Sequence, residues 1–176
     1  MKNLLLTGKP GIGKTTLIKR ILDECTLRAG GFYTQEIREN NTRLGFKIIA
    51  LSGQMGILAH VDSKSRHAVG KYRVNLADIE TVAVKSIFEA FEQNELIVID
   101  EIGKMELFSD KFKKAVLMAL DSQKPVLGTI TLAPSSFTNK IRESREVEIF
   151  WVTRNNRELI FKRILSELQS IRSTLQ

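Results

Sequence analysis

Apolar stretches of two kinds alternate along most of the chain. Residues 4–6 (Leu-Leu-Leu) are a short continuous run that suits a buried strand. Leu17, Ile18, Ile21 and Leu22 follow at helical spacing, with Lys19, Arg20, Asp23 and Glu24 on the opposite side. Residues 31–38 and 43–51 read as two strands joined by Glu39, Asn40, Asn41 and Thr42, a turn composition, and so as a β-hairpin. Residues 52–56 read as a flexible turn, 71–76 as a short strand, and 77–93 as a helix with Ile79, Val82, Ala83, Ile87, Phe88 and Phe91 apolar. The β-branched run 96–99 has the profile of a central parallel strand. Beyond it the pattern predicts a helix over 108–121, a strand over 125–130, a short helix over 134–142, a strand over 147–152 and a helix over 157–171. Strands alternating with helices imply βαβ units and a mainly parallel sheet covered on both faces, an α/β three-layer sandwich with an antiparallel hairpin added.

The join between the first strand and the first helix carries the strongest chemical signal. Gly8-Lys9-Pro10-Gly11-Ile12-Gly13-Lys14-Thr15-Thr16 fits G-x-x-x-x-G-K-[ST], the Walker A motif or P-loop. Its glycines let the backbone turn sharply and bring N–H groups close to a polyphosphate. Lys14 is placed to reach the β- and γ-phosphates, and Thr15 to offer its hydroxyl to Mg²⁺. The helix that follows favours an anion at its N-terminus.

A P-loop enzyme also needs a carboxylate for the hydrated metal and a group that orients the attacking water. Asp100 and Glu101 stand at the end of the 96–99 run, the Walker B position, with Ile102 and Gly103 after them. Asp100 is assigned to Mg²⁺. Glu101 is assigned as general base or water-orienting group, a role that water as acceptor demands.

The chain has 176 residues, 43% of them hydrophobic, enough for one domain spanning 1–176 with a real core. No apolar run approaches a membrane span or the h-region of a signal peptide. A lone Cys25 excludes an internal disulfide and fits a reducing cytoplasm. The formal net charge of +7 suits a polyanion-binding protein. The densest basic stretch, 60–73, holds His60, Lys64, Arg66, His67, Lys71 and Arg73 against Asp62 alone. No helix-turn-helix or RNA-binding aromatic signature accompanies it, so nucleic acid is a disfavoured partner.

Several stretches together resemble the small P-loop nucleoside-triphosphatase family of thermophilic prokaryotes, which has a human member, the cancer-related nucleoside-triphosphatase. They are residues 8–16, Gly-Phe-Tyr-Thr-Gln-Glu-Ile-Arg at 31–38, Leu51-Ser52-Gly53, Val69-Gly70-Lys71-Tyr72, Ile-Asp-Glu-Ile-Gly-Lys-Met-Glu-Leu at 99–107, Leu127-Gly128-Thr129-Ile130 and Val-Thr-Arg-Asn-Asn-Arg at 152–157. The resemblance implies a RecA-like or nucleotide-kinase-like P-loop fold and Mg²⁺-dependent hydrolysis of NTP to NDP and phosphate, with little preference among bases. By position Lys14, Thr15, Asp100 and Glu101 take the roles derived above. A monomer is expected.

Other assignments stay open in the sequence. Arg38, Arg66, Arg73 and Lys104 are alternatives for a cation that stabilises the transferring phosphoryl group. Thr129 is either a ligand-facing strand end or a satisfied core residue. Arg154, Asn155 and Arg157 are candidates for the nucleobase, with Asn155 equally a helix cap. Tyr33, Phe32 and Trp151 fit stacking or core roles. Two functional alternatives remain: phosphoryl transfer to a nucleoside or nucleotide acceptor, and a nucleic-acid-stimulated ATPase.

Overall fold

Alternation along the first strand decides which side of the sheet each helix takes. In the computed structural model, which describes residues 3–174, β1 (Asn3–Thr7) leads through the glycine loop into α1 (Lys14–Glu24). Leu4 and Leu6 face α1, packing with Leu17, Ile18 and Ile21 and with residues of the C-terminal helix such as Phe161 and Ile164. Leu5 points the other way, into a larger cluster with Phe32, Ile87, Phe112 and Val116. Two cores therefore sit on the two faces of one sheet, as side chains that alternate with period two require.

After α1 the chain forms β2 (Ala29–Glu39) and β3 (Thr42–Ala50), joined through Asn40 and Asn41 at φ 46° and 64°. Asparagine is one of the few residues that adopts this left-handed region readily, and two such residues match a two-residue hairpin turn. The addition is larger than the expected hairpin. β4 (Met55–His60), β5 (Ala68–Val69) and β6 (Tyr72–Val74) extend it, so the sheet edge carries β3, β4, β6 and β5, all antiparallel. Met55 and Gly56, read from the sequence as part of a flexible turn, open β4. The Ile57 amide donates to Asp78 Oδ2 at 2.6 Å, and a β-carbon on Gly56 would lie 2.9 Å from Asp78 Cβ. The glycine is there for close packing, and the strand runs through it.

α2 (Leu76–Asp78) continues through a π-helical stretch, Ile79–Val84, into α3 (Lys85–Gln93). Asn75 caps its start by accepting from the Asp78 amide at 3.2 Å. Then come β7 (Leu96–Ile102), a 3₁₀ turn at Glu106–Phe108, α4 (Asp110–Leu120), β8 (Val126–Ile130), α5 (Ser136–Glu143), β9 (Val147–Trp151) and α6 (Arg157–Thr174). Ser109 caps α4 through the Phe112 amide, and Ser135 with Thr138 forms a capping box on α5. None of these helices is long and apolar enough to cross a membrane among the described residues.

The order across the sheet is β5-β6-β4-β3-β2-β7-β8-β1-β9, with β2, β7, β8, β1 and β9 parallel. β8 lies between the P-loop strand β1 and the Asp100 strand β7. That inserted strand is the additional-strand arrangement, and it brings the C-terminal ends of β1, β8 and β7 side by side, where ligands bind in open α/β sheets.

Candidate functional site

The P-loop takes its shape from Gly13. At φ 96° it stands where a β-carbon is disfavoured, and it precedes the first turn of α1, its carbonyl accepting from the Leu17 amide at 2.9 Å. Lys14 folds its side chain back over the loop, donating from Nζ to the carbonyls of Gly8 (3.0 Å) and Lys9 (3.2 Å). The strand ends are tied together at this point. Thr7 Oγ1 donates to the Ile130 carbonyl at 2.9 Å, and the Val152 amide donates to the Thr7 carbonyl at 2.8 Å.

Asp100 and Glu101 leave the neighbouring strand end side by side, but their surroundings differ. Asp100 is 2% exposed; its Oδ1 accepts from Thr129 Oγ1 at 2.6 Å, while its Oδ2 is buried with no hydrogen-bond partner among the described residues. Thr129, wholly buried on β8, is thus the residue that holds Asp100 in place. Burial pushes the Asp100 carboxyl up from its ordinary range, and the hydroxyls of Thr129 and Thr15 and the charge of Lys14 pull it back. Glu101 is half-buried and is also pushed up, by burial and then by the charge of Asp100, with Lys14 opposing.

A cleft of about 970 Å³ connects these groups. Gly13, Lys14, Thr15, Thr16, Asp100, Glu101 and Gly103 line its inner part; Thr34, Glu36, Arg38, Arg43, Phe46 and Tyr72 line its outer part, on the antiparallel extension. Pro10, Gly11, Lys19 and Lys104 also face it. Gly8, Lys9 and Ile12 belong to the loop but not to this lining, and Ile102 is wholly buried in the core, paired with Ile130.

The structure sorts the four candidate cations. Arg38 and Lys104 face the cleft, whereas Arg66 and Arg73 are not in its lining. Arg38 is held by Glu36 at 2.6 Å and by the Asn41 carbonyl at 3.1 Å. Arg43, which the pattern reading passed over, is held more firmly. Its Nη1 pairs with Glu36 at 2.8 Å, its Nε donates to the Tyr72 hydroxyl at 2.9 Å, and the guanidinium sits 5.2 Å from the Phe46 ring centroid. Its partners come from three strands, so no local motif announces it.

The opposite flank of the P-loop is formed by the segment before α6. The turn there is held by Asn156 rather than Asn155: its Oδ1 accepts from the Thr153 amide and its Nδ2 donates to the Trp151 carbonyl, both at 2.8 Å. Arg157 reaches the loop, with Nη1 3.1 Å from where a β-carbon of Gly13 would lie. Among the described residues no hydrogen bond or ion pair engages that guanidinium, in contrast to Arg20 and Arg163, which pair with Glu158 and Glu148. Arg154 and Asn155 are exposed, as is Trp151, while Phe32 is core, edge-to-face with Phe112 at 6.0 Å. Tyr33 lies beneath the Lys19 ammonium at 4.1 Å.

The donor set of the inner cleft fits a hard divalent cation. A buried carboxylate oxygen with no hydrogen-bond partner among the described residues, beside the hydroxyl of Thr15, suits an ion that keeps water and phosphate oxygens as its other ligands.

Comparison with known proteins agrees with this geometry. A family model described as NTPase matches residues 3–165. The chain is 49% identical over 173 residues to the nucleoside-triphosphatase THEP1 of a Thermotoga species, covering 98% of this chain and 99% of that one. It is 39% identical to the cancer-related nucleoside-triphosphatase homolog of Mus musculus, over 98% of this chain and 99% of that protein. Among solved structures it is similar to the crystal structure of THEP1 from Aquifex aeolicus (TM-score 0.86, 36% identity, 96% of this chain and 99% of that one). It is also similar to the solution structure of a human cancer-related nucleoside triphosphatase (TM-score 0.81, 36% identity, 97% and 98%).

Proposed function

Because the chain belongs to the NTPase family and is a nucleoside-triphosphatase, we propose that it hydrolyses several NTPs to NDP and phosphate with Mg²⁺, using Glu101 to orient water. The observation that carries this reading is the placement of Glu101: it lines the same cleft as Lys14 and Thr15, one residue beyond Asp100, at the end of the strand next to the additional strand. Lys14 reaches the β- and γ-phosphates, the P-loop amides cradle them, and Asp100 with Thr15 holds Mg²⁺. The ion, when bound, supplies charge neutralisation at the phosphoryl oxygens. Glu101 accepts a hydrogen bond from the attacking water and aligns it with the γ-phosphorus.

Broad base use follows from the character of the Arg157 flank. A guanidinium recognises a phosphate or the face of any base, whereas sites that hydrogen-bond a substrate's polar groups discriminate by roughly 10⁴–10⁵. The test is phosphate release from ATP, GTP, CTP and UTP, with EDTA as the blank. Values of kcat/KM within roughly one order of magnitude of each other, all abolished by EDTA, are expected. A single accepted base would sink the broad-specificity reading, and EDTA-resistant release the metal one.

Replacing Arg157 with Ala is expected to raise KM for all four nucleotides by a common factor of about ten, the scale of one charge-assisted hydrogen bond. The value of kcat is expected to change little. A rise for one base only would show that Arg157 reads a base edge.

The outer cleft favours a second reading, phosphoryl transfer to an acceptor other than water. A water needs about 30 Å³, and the cleft runs well past Glu101 to Arg43 and Tyr72. Repeating the release assay with nucleosides and monophosphates, and looking for phosphorylated acceptor, separates the two.

A further inference from the structure

Glu106 is the charged residue that the assigned roles leave unused. It opens the 3₁₀ turn at Glu106–Phe108 and is 3% exposed, a burial that glutamate rarely has without a partner. Among the described residues no cation pairs with it. Its neighbours Met105 and Leu107 are apolar and pack against the core, so an apolar side chain would suit the position as far as folding is concerned.

The geometry around Gly103 gives Glu106 a task. A β-carbon on Gly103 would lie 2.8 Å from Glu106 Oε2 and 3.2 Å from both Cγ and Cδ of Glu101. The two glutamate side chains therefore crowd the same point over one glycine, and a substituent there would displace one or both. Both also line the cleft. Glu106 thus occupies the space beside the Glu101 side chain over Gly103 and limits how far that side chain can shift across the glycine.

We infer that Glu106 is a positioning residue for Glu101, filling the space over Gly103 so that the Glu101 carboxylate is held where it meets water. This rests on Glu101 being the water-orienting group. Burial pushes the Glu106 carboxyl well above its ordinary range, the charges of Glu101 and Asp100 push it further, and the amides of Glu106 and Gly103 oppose them. Such a group is costly to the fold, which is what a position kept for the site rather than the core would show.

The test compares Glu106→Ala, Glu106→Gln and Glu101→Gln for kcat, for nucleotide Kd with a fluorescent ATP analogue, and for Tm. Misplacing a reacting group by about 1 Å costs on the order of 10²-fold, so Glu106→Ala is expected to lower kcat about 10–100-fold with Kd unchanged. Glu106→Gln, which fills the same space, is expected to stay within about threefold of the parent. Adding Glu106→Ala to Glu101→Gln is expected to cost nothing more, because the group being positioned is already disabled. An undiminished kcat in Glu106→Ala, while Glu101→Gln is slow, overturns the positioning role alone. An equal loss in Glu106→Gln overturns it too, since occupancy would not be the cause. So does a parallel loss of kcat, Kd and Tm, which marks a merely structural residue. Undiminished kcat in Glu101→Gln overturns the reading beneath it.

Discussion

Glu101→Gln is expected to cut kcat by about 10²–10⁴-fold, the range typical of a positioned general base, while leaving NTP affinity nearly intact. The amide keeps the shape of the side chain and so its fit beside Gly103 and Glu106. It keeps an acceptor oxygen but loses the carboxylate's charge and basicity, so it can no longer draw a proton from the attacking water. Affinity is expected to survive because the proposed nucleotide contacts are on the loop and helix, at Lys14, Thr15 and Thr16, none of which changes. Folding should survive as well. The Glu101 carboxyl is pushed up by burial and by Asp100, so neutralising it removes an unfavourable charge rather than a supporting one. Single-turnover phosphate release alongside nucleotide titration makes the split visible. A variant that turns over at the parental rate would remove Glu101 from the chemistry and shift attention to Arg43 or Lys104 as organisers of the water.

How much of this was legible beforehand depends on how local each signal is. The P-loop could be read because Gly13 and Lys14 act through spacing within one turn of chain, and the strand under Asp100 because residues 96–99 are uniformly apolar. The two-sided sheet follows from Leu4 and Leu6 against Leu5, but the strand order does not. Nothing in the period of residues 125–130 says that β8 inserts between β1 and β7. Gly56 reads as a turn residue until Asp78 is found packed against it. The helix at 77–93 is visible, but its π-helical stretch is not, because Val82, Ala83 and Val84 are buried consecutively and blur the 3.6 period. Arg43 and Glu106 stay hidden for a related reason. Arg43 follows the polar Asn40-Asn41-Thr42 turn and Glu106 is a lone charge between Met105 and Leu107, and in sequence each reads as a solvated position; only tertiary contacts with Tyr72, Glu36 and Gly103 show them at the cleft.

Asp100→Asn tests the other half of the site, and it is expected to move activity and stability in opposite directions. The amide oxygen can still accept from Thr129, so the strand end keeps its anchor. The amide nitrogen then takes the place of the unpartnered Oδ2 and cannot serve a cation. Loss of several kcal/mol of transition-state charge stabilisation, at one factor of ten per 1.36 kcal/mol, predicts a kcat lower by about 10²–10³-fold. Tm of the nucleotide-free protein should rise, at roughly 2–4 °C per kcal/mol for a domain of this size. The sign follows from linkage. Burial raises the folded-state pKa of Asp100, so the folded protein binds that proton more tightly than the unfolded chain, and stability falls as pH rises through the folded value. Glu101 and Glu106 are raised in the same sense, so acidifying from neutral pH should also raise Tm of the parent, and less so in the variant. The solvent-facing pairs with lowered carboxyl values, Glu36, Glu80, Asp110 and Glu158, work against this only weakly, being screened by solvent. The parent should regain stability when Mg²⁺ and nucleotide are added, by RT ln(1 + [L]/Kd), and the variant should gain much less. Calorimetry across pH, with and without Mg²⁺ and a non-hydrolysable triphosphate, reads all of this. An Asp100→Asn protein that melts lower than the parent in the absence of ligand would mean that the buried carboxylate supports the fold, and would refute its assignment as a charge kept at a structural cost for the ion it holds.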